Sequence, residues 1–305
     1  MTDTTQTAAS DIPRGGWVDS FLPRALRPFA RLSRLDRPIG TWLLLFPCWW
    51  SIALARPELA EGARLFVLFA LGAIVMRGAG CTYNDIVDRD FDGAVARTAD
   101  RPIPSGAVSV RGAIVWLVVQ LLVGLAILVQ LNAFAIGMGV ASLVLVFTYP
   151  LMKRVTWWPQ FFLGLAFNWG ALMGYAAVAG RLDAAPVLLY IAGIFWTLGY
   201  DTIYAHQDKE DDALIGVKSS ALRLGARTGP ALWFFYAATV ACLAAMGWQA
   251  GLGRTYQALL LAGAIQLAWQ VRDVRIDDPA DCLAKFKSNR LFGWLLLAGL
   301  LFGHL

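Results

Sequence analysis

The chain has 305 residues, of which 58% are hydrophobic and only 15% charged, with a mean hydropathy of +0.57. A soluble domain carries roughly a quarter of its residues as charges, so the composition excludes a water-soluble globule and indicates an all-α, polytopic membrane protein. The formal net charge of +5 and the pI near 9.2 do not mark a nucleic-acid surface, because Lys and Arg lie in the loops between apolar stretches, where they set topology.

Residues 1–19 are polar and lack the hydrophobic region of a signal peptide, so a cytosolic N-terminal tail is expected over residues 1–30. Residues 31–305 read as one membrane domain. A spanning helix needs about 20 mainly apolar residues, and about nine stretches qualify: 39–55, 65–83, 110–130, 132–149, 159–179, 185–204, 231–248, 255–271 and 290–304. All Lys and Arg residues except Arg56, Arg64, Arg181 and Arg254 fall on one side of this arrangement. The positive-inside rule makes that side cytoplasmic and puts the C-terminus outside. Trp42, Trp49, Trp50, Trp157 and Trp158 lie near predicted span ends and read as an interfacial belt. Cys48, Cys81, Cys242 and Cys282 show no metal-ligand spacing and read as small hydrophobes.

Two acidic stretches interrupt this oily chain, each directly after an apolar run. The first is Asn84-Asp85-Ile86-Val87-Asp88-Arg89-Asp90-Phe91-Asp92. If the second span continues as a helix, Asn84, Asp88 and Asp92 share a face, with Asp85 beside them and Asp90 turned away. The second stretch runs from Asp201 to Asp212, with Asp208 and Asp212 four apart and Asp201 and Tyr204 one or two turns earlier. Solvated loop charges are the plain alternative for any one Asp. Acids four apart on a helix repel each other, however, so fold stability alone does not account for the pattern in two places. Two such stripes facing each other would form a hard oxygen cage of the kind that suits Mg²⁺.

Basic residues accompany the acids: Arg89, Arg97 and Arg101 near the first stretch, Lys153 and Arg154 after Tyr149, and Lys218 after the second. Each taken singly reads as a topological anchor. Taken with metal-binding acids they describe a diphosphate site, in which guanidinium and ammonium groups clamp the phosphate oxygens the metal leaves. His206 reads as a polar neighbour, and Asp183, Asp273, Asp277, Asp278 and Asp281 as loop charges. A divalent-cation transporter is the alternative from another class, but its ligands are expected near the bilayer midplane on broken helices. A ring of Arg and Lys would repel its cargo.

The pattern Asn84-Asp85-x-x-Asp88-x-x-x-Asp92, with Asp201-x-x-Tyr204-Ala205-x-x-Asp208-x-x-Asp211-Asp212, resembles the UbiA superfamily of intramembrane aromatic prenyltransferases. Asp36-Arg37-Pro38-Ile39-Gly40-Thr41, Arg97-Thr98-x-x-Arg101-Pro102-Ile103 and Gly216-Val217-Lys218-Ser219-Ser220 are similar to its 4-hydroxybenzoate branch. The resemblance covers about residues 30 to 300. It implies spans ringed around a central cavity open to lipid, in a bacterial inner membrane. It also implies Mg²⁺ held by Asn84, Asp88, Asp92, Asp208 and Asp212, with polyprenyl diphosphate and 4-hydroxybenzoate as substrates in ubiquinone biosynthesis. Arg89 and Lys153 would stabilise the departing diphosphate. Arg154 and Arg37 are candidates for the acceptor carboxylate, and Asp201 or Asp211 for proton removal. Another acceptor, such as homogentisate, a naphthoate, haem or a sugar phosphate, stays open, as do tail length and oligomeric state.

Overall fold

The computed structural model describes residues 12–13, 15–93 and 98–303. Among them there are helices and no strands, as the composition led us to expect. In chain order the helices are α1 (Trp17–Phe21), α2 (Arg27–Leu32), α3 (Ile39–Ala55), α4 (Leu59–Asp92), α5 (Val110–Leu128), α6 (Ala133–Val155), α7 (Pro159–Asn168) and α8 (Gly170–Ala179). They continue with α9 (Ala184–Ala205), α10 (Lys209–Ile215), α11 (Ser220–Leu224), α12 (Thr228–Gln249), α13 (Arg254–Asp273) and α14 (Pro279–Phe302).

A helix stands at each predicted span, but among the described residues only 6 are long and apolar enough to cross a membrane on length and composition alone. The shortfall has physical causes. Helix α3 has 17 residues. Helix α13 spends interior positions on Gln257, Gln266 and Gln270, and α14 carries Asp281, Lys285, Lys287 and Arg290 in its first half. Helices α7 and α8 count as one span, jointed at Trp169. There Asn168 folds its amide back onto Gly164 O at 2.9 Å and onto Thr197 Oγ1 at 2.8 Å.

The chain divides into two compact units that alternate along the sequence: Met1–Gly40 with Ile74–Ala126, and Thr41–Ala73 with Ile127–Leu305. In the first, Leu32, Ile103, Val108 and Ala113 form a small apolar core, with Phe29 and Trp116 packed against it. A buried polar relay lies in the same unit. Trp116 Nε1 and Gln120 Nε2 both donate to Ser33 Oγ, at 2.8 and 3.0 Å, and Thr82 Oγ1 donates to Gln120 Oε1 at 3.1 Å. Gln120 is thereby satisfied inside an apolar helix, where an unpaired amide is costly.

In the second unit α9 is the hub, packing against α7, α8, α12 and α14. Helix α8 meets α3 through Gly170-Ala171-Leu172-Met173-Gly174, a small-residue pair at four-residue spacing that lets helix backbones approach closely. A methyl group at position 174 would collide with Cys48 O and Ser51 Oγ. Ser51 Oγ already occupies the seam, donating to Cys48 O or Gly170 O at 3.0 and 3.1 Å.

Trp50 does not belong to an interfacial belt. Trp50 is fully buried, donates to Gly293 O at 2.9 Å and lies 5.1 Å from the ring of Trp196. Trp49 donates to Phe66 O at 3.0 Å, and Trp42 packs on Phe46 and Trp294. Ring area and an N–H that found a carbonyl drew Trp50 into the core, while Trp42 and Trp49 pack half-buried against it. The four cysteines are free, and Cys48, Cys81 and Cys282 are buried, consistent with packing roles.

Candidate functional site

Helix α4 runs unbroken for 34 residues, about 51 Å at 1.5 Å per residue, so its last turns outrun the roughly 30 Å hydrocarbon layer. Those turns carry the first acidic stretch, and the helical continuation that the spacing required is present. Asp85, Asp88 and Asp92 are buried on one side of the helix, Asn84 is half-buried, and Asp90 faces solvent.

Arginines hold this row. Arg34 Nη2 pairs with Asp85 Oδ1 at 2.7 Å, and Arg101 Nη1 sits 2.8 Å from Asp92 Oδ2 and 3.4 Å from Asp85 Oδ1. Thr98 Oγ1 donates to Asp92 O at 2.8 Å and draws the returning loop onto the helix end. Arg101, one of the predicted diphosphate clamps, therefore lies against the acids. Arg89 is on the exposed side, 3.5 Å from Asp90 and donating to Ile86 O at 3.1 Å. Arg37 pairs with Asp36 at 3.5 Å. Arg97 lies outside the described residues.

The second acidic stretch departs from the expected continuous helix. Helix α9 ends at Ala205, a 3₁₀ turn covers His206–Asp208, and α10 starts at Lys209. Asp201 and Tyr204 belong to α9, Asp208 to the turn, and Asp211 and Asp212 to the first turn of α10. Two long-range contacts account for the break. His206 Nε2 bonds Thr228 Oγ1 at 3.0 Å, and Lys209 pairs with Asp277 in the α13–α14 connector. Gly216, in the left-handed region at φ 74°, ends α10 and turns the chain towards Lys218.

The basic loops of this unit come together. Lys218 N donates to Lys153 O at 2.9 Å, and Lys218 Nζ donates to Val155 O at 3.1 Å. Two predicted diphosphate lysines thus sit side by side at the end of α6. Arg154 is exposed and Tyr149 half-buried on the same helix. Tyr204 stacks on Phe286 with centroids 4.5 Å apart.

Several contacts lay beyond sequence reasoning. Lys285 is almost wholly buried, yet it reaches Asp273 at 2.5 Å and Asp281 at 3.2 Å and lies 4.4 Å from the Trp269 ring centroid. Asp273 and Asp281 are therefore its counter-ions rather than plain loop charges. Asp278 caps α14 by accepting from the Ala280 and Asp281 amides. Arg34 entered the sequence argument only as a topology charge. Its partner lies 51 residues away, a separation no local pattern encodes.

The hydrogen bond from Lys209, and then its charge, holds the Asp277 carboxyl below the ordinary carboxylate range. A depressed carboxylate contributes stability above its unfolded pKa and loses it as pH falls through the lowered folded value. Asp277→Asn is expected to speed hydrogen exchange in α10 a few-fold at most at pH 7, because an exposed pair is weak. The difference from the native chain should vanish once the pH falls below that lowered value. A difference that persists in acid would show that the pair's charge is not what holds α10.

Among the described residues no three or more Asp, Glu, His or Cys side chains are gathered closely enough to hold a metal ion by themselves. The donor chemistry is nevertheless hard anionic oxygen, and Mg²⁺ characteristically takes one or two carboxylates and fills its remaining positions with water and phosphate oxygens.

A model of the "UbiA prenyltransferase family" matches residues 44–296. The chain is 50% identical over 295 residues to a mitochondrial 4-hydroxybenzoate polyprenyltransferase of Arabidopsis thaliana, covering 96% of this chain and 72% of that one. It is 44% identical over 306 residues to 4-hydroxybenzoate geranyltransferase 1 of Lithospermum erythrorhizon, covering 100% and 99%. Among solved structures, the apo UbiA homolog of Aeropyrum pernix K1 superposes with a TM-score of 0.74 at 26% identity, covering 87% of this chain and 98% of that one. A UbiA homolog of Archaeoglobus fulgidus bound to GPP and Mg²⁺ superposes at 0.67 with 19% identity, covering 88% and 99%. With its oily helices, its buried acidic row and a family match over most of its length, the chain is an integral membrane enzyme that belongs to the UbiA prenyltransferase family.

Proposed function

We propose that the protein transfers a polyprenyl group from polyprenyl diphosphate to the ring carbon ortho to the hydroxyl of 4-hydroxybenzoate, with Mg²⁺, in ubiquinone biosynthesis. The observation that carries this reading is the buried carboxylate row Asp85, Asp88 and Asp92 on α4 with Arg101 against it. Such a row has no purpose in an oily helix unless a cation uses it. The acceptor is inferred from relatives about 50% identical that bear the name 4-hydroxybenzoate polyprenyltransferase.

In this reading Asn84, Asp88 and Asp92 from the first motif and Asp208 and Asp212 from the second hold the metal. When bound, the metal neutralises charge building on the departing diphosphate. The chain's own cations would do the same for the remaining oxygens: Arg97, Arg101, Lys153 and Lys218 clamp the diphosphate, and Arg89 joins them only by leaving Asp90 on the exposed side of α4. The allylic C–O bond breaks, the electron-rich ring carbon bonds to the allylic carbon, and the ring gives up one proton, with Asp201 or Asp211 as the acceptor. Arg154 or Arg37 holds the 4-hydroxybenzoate carboxylate, and Tyr149 and Tyr204 line the substrate path. The surrounding apolar spans, taken with residues 31–305 as one catalytic domain, keep water from the allylic cation. The proposed location is the bacterial inner membrane, with the Lys/Arg-rich face and both motifs cytoplasmic.

Mass spectrometry of product made from 4-hydroxybenzoate and polyprenyl diphosphates of several lengths tests this. The expected product is 3-polyprenyl-4-hydroxybenzoate, formed in preference to prenylated homogentisate or naphthoate. Equal or better use of another acceptor would overturn the assignment.

A further inference from the structure

We propose that Arg34 and Asp85 form a buried positioning pair for the first acidic motif, with Asp85 acting as counter-ion to the arginines rather than as a metal ligand. The inference rests on the reading of that motif as a metal–diphosphate clamp and adds the residues that set its charge.

Asp85 is fully buried, and the Arg34 side chain is 9% exposed. A carboxylate and a guanidinium removed from water to this extent are tolerable only together. The arm preceding the first span is built to deliver the arginine. Leu32, two residues before it, is fully buried in the core of this unit. Ser33 accepts hydrogen bonds from Trp116 and Gln120, and Leu35 O accepts one from Trp17 Nε1 at 3.2 Å. Arg34 itself adopts φ 57°, a left-handed conformation that is unfavourable for a residue with a side chain. Such a conformation persists where the surroundings over-determine it, and here both neighbours in sequence are fastened. Arg34 Nη1 also donates to Arg31 O at 3.0 Å, which aims Nη2 at Asp85.

Arg101 is the second half of the device. Its Nη1 lies between Asp85 Oδ1 at 3.4 Å and Asp92 Oδ2 at 2.8 Å. Two acids compete for one guanidinium, and Arg34, the nearer arginine on Asp85 Oδ1 at 2.7 Å, tips the competition by taking the larger share of that oxygen. With Arg34 present, Arg101 stays on Asp92, next to the proposed metal ligands. Without it, Asp85 draws Arg101 away.

Opposite charge changes at these positions therefore have opposite effects on metal affinity, which general structural damage would not produce. The test is Mn²⁺ binding to the full chain in lipid nanodiscs, followed by electron paramagnetic resonance without substrate. Arg34→Gln removes a positive charge and uncovers Asp92, so Mn²⁺ is expected to bind about threefold to tenfold more tightly. The KM for the diphosphate donor should rise in the same variant, because Arg101 is drawn off. Asp85→Asn removes a negative charge and leaves Arg101 wholly on Asp92, so binding is expected to weaken by a similar factor. The double variant keeps the charge balance and is expected to return to within about twofold of the native chain. A single variant that fails to fold while the double variant folds also supports the pair, since it shows that the charges are balanced against each other. Shifts of the same sign in both single variants, no shift in either, or a double variant that does not fold would each overturn the pair and leave the clamp reading intact. Failure of Mn²⁺ to bind the native chain both alone and with inorganic diphosphate present would overturn both.

Discussion

Replacing Asp88 by asparagine is expected to lower prenyl transfer by about 10²–10³-fold, the usual loss when one group that stabilises transition-state charge is removed. Asp88 is fully buried on α4, between Asp85 and Asp92 on the same helix side. The amide keeps the shape and can still hydrogen-bond, but it no longer offers an anionic oxygen. Because the amide keeps the volume of the side chain, folding should survive the substitution. The check is turnover over a range of Mg²⁺ concentrations, alongside thermal unfolding of the same preparation. Asp208→Asn is expected to behave alike through the second motif. Near-native turnover with either variant at low Mg²⁺ would remove the acidic motifs from the metal site.

The second large effect is on stability. Trp50→Ala is expected to cost about 3–5 kcal/mol, the range for deleting a large aromatic from a packed interior. Trp50 is buried against Trp196 at 5.1 Å and Phe292 at 6.2 Å, and its N–H satisfies Gly293 O at 2.9 Å. Gly293 has no side chain because Phe46 fills the space a Cβ would take. The cavity left by alanine therefore opens between α3, α9 and α14 where nothing nearby is free to collapse into it. Trp50→Phe should cost less, since it keeps most of the ring area and loses mainly the hydrogen bond. Thermal unfolding in a fixed detergent or nanodisc compares the three. Equal stability of the alanine variant would mean that Trp50 is peripheral, as an interfacial belt would have it.

Much of the fold could be read before the structure. Oily runs bounded by basic loops predicted where the helices lie, and the four-residue spacing put Asn84, Asp88 and Asp92 on one face provided that the helix carried on past its apolar part, as α4 does. Both are local properties, and helix periodicity records them. The second motif looked equally helical, yet a 3₁₀ turn divides it at His206–Asp208. That break depends on Thr228 and Asp277, residues 22 and 68 positions away from their partners, and spacing carries no information about them. Trp50 was misplaced for a related reason. A Trp near a span end suits either a headgroup region or a crowded core, and only the packing of α9 and α14 decides which. Arg34 was visible as a charge, but its left-handed backbone and its distant partner were not.

The unbroken length of α4 has one more consequence. A helix is stiff along its axis, so the depth of Asp88 and Asp92 relative to the lipid headgroups is tied to how the apolar residues from Leu59 onward seat in the hydrocarbon. Membranes differ in thickness by several ångströms, and helices answer by tilting or by distorting the lipid around them. In this chain the carboxylates sit on the last turns of such a helix, so a change in the tilt of those turns changes their depth. Lipid acyl length is thereby a variable of the chemistry as well as of the protein's comfort in the bilayer.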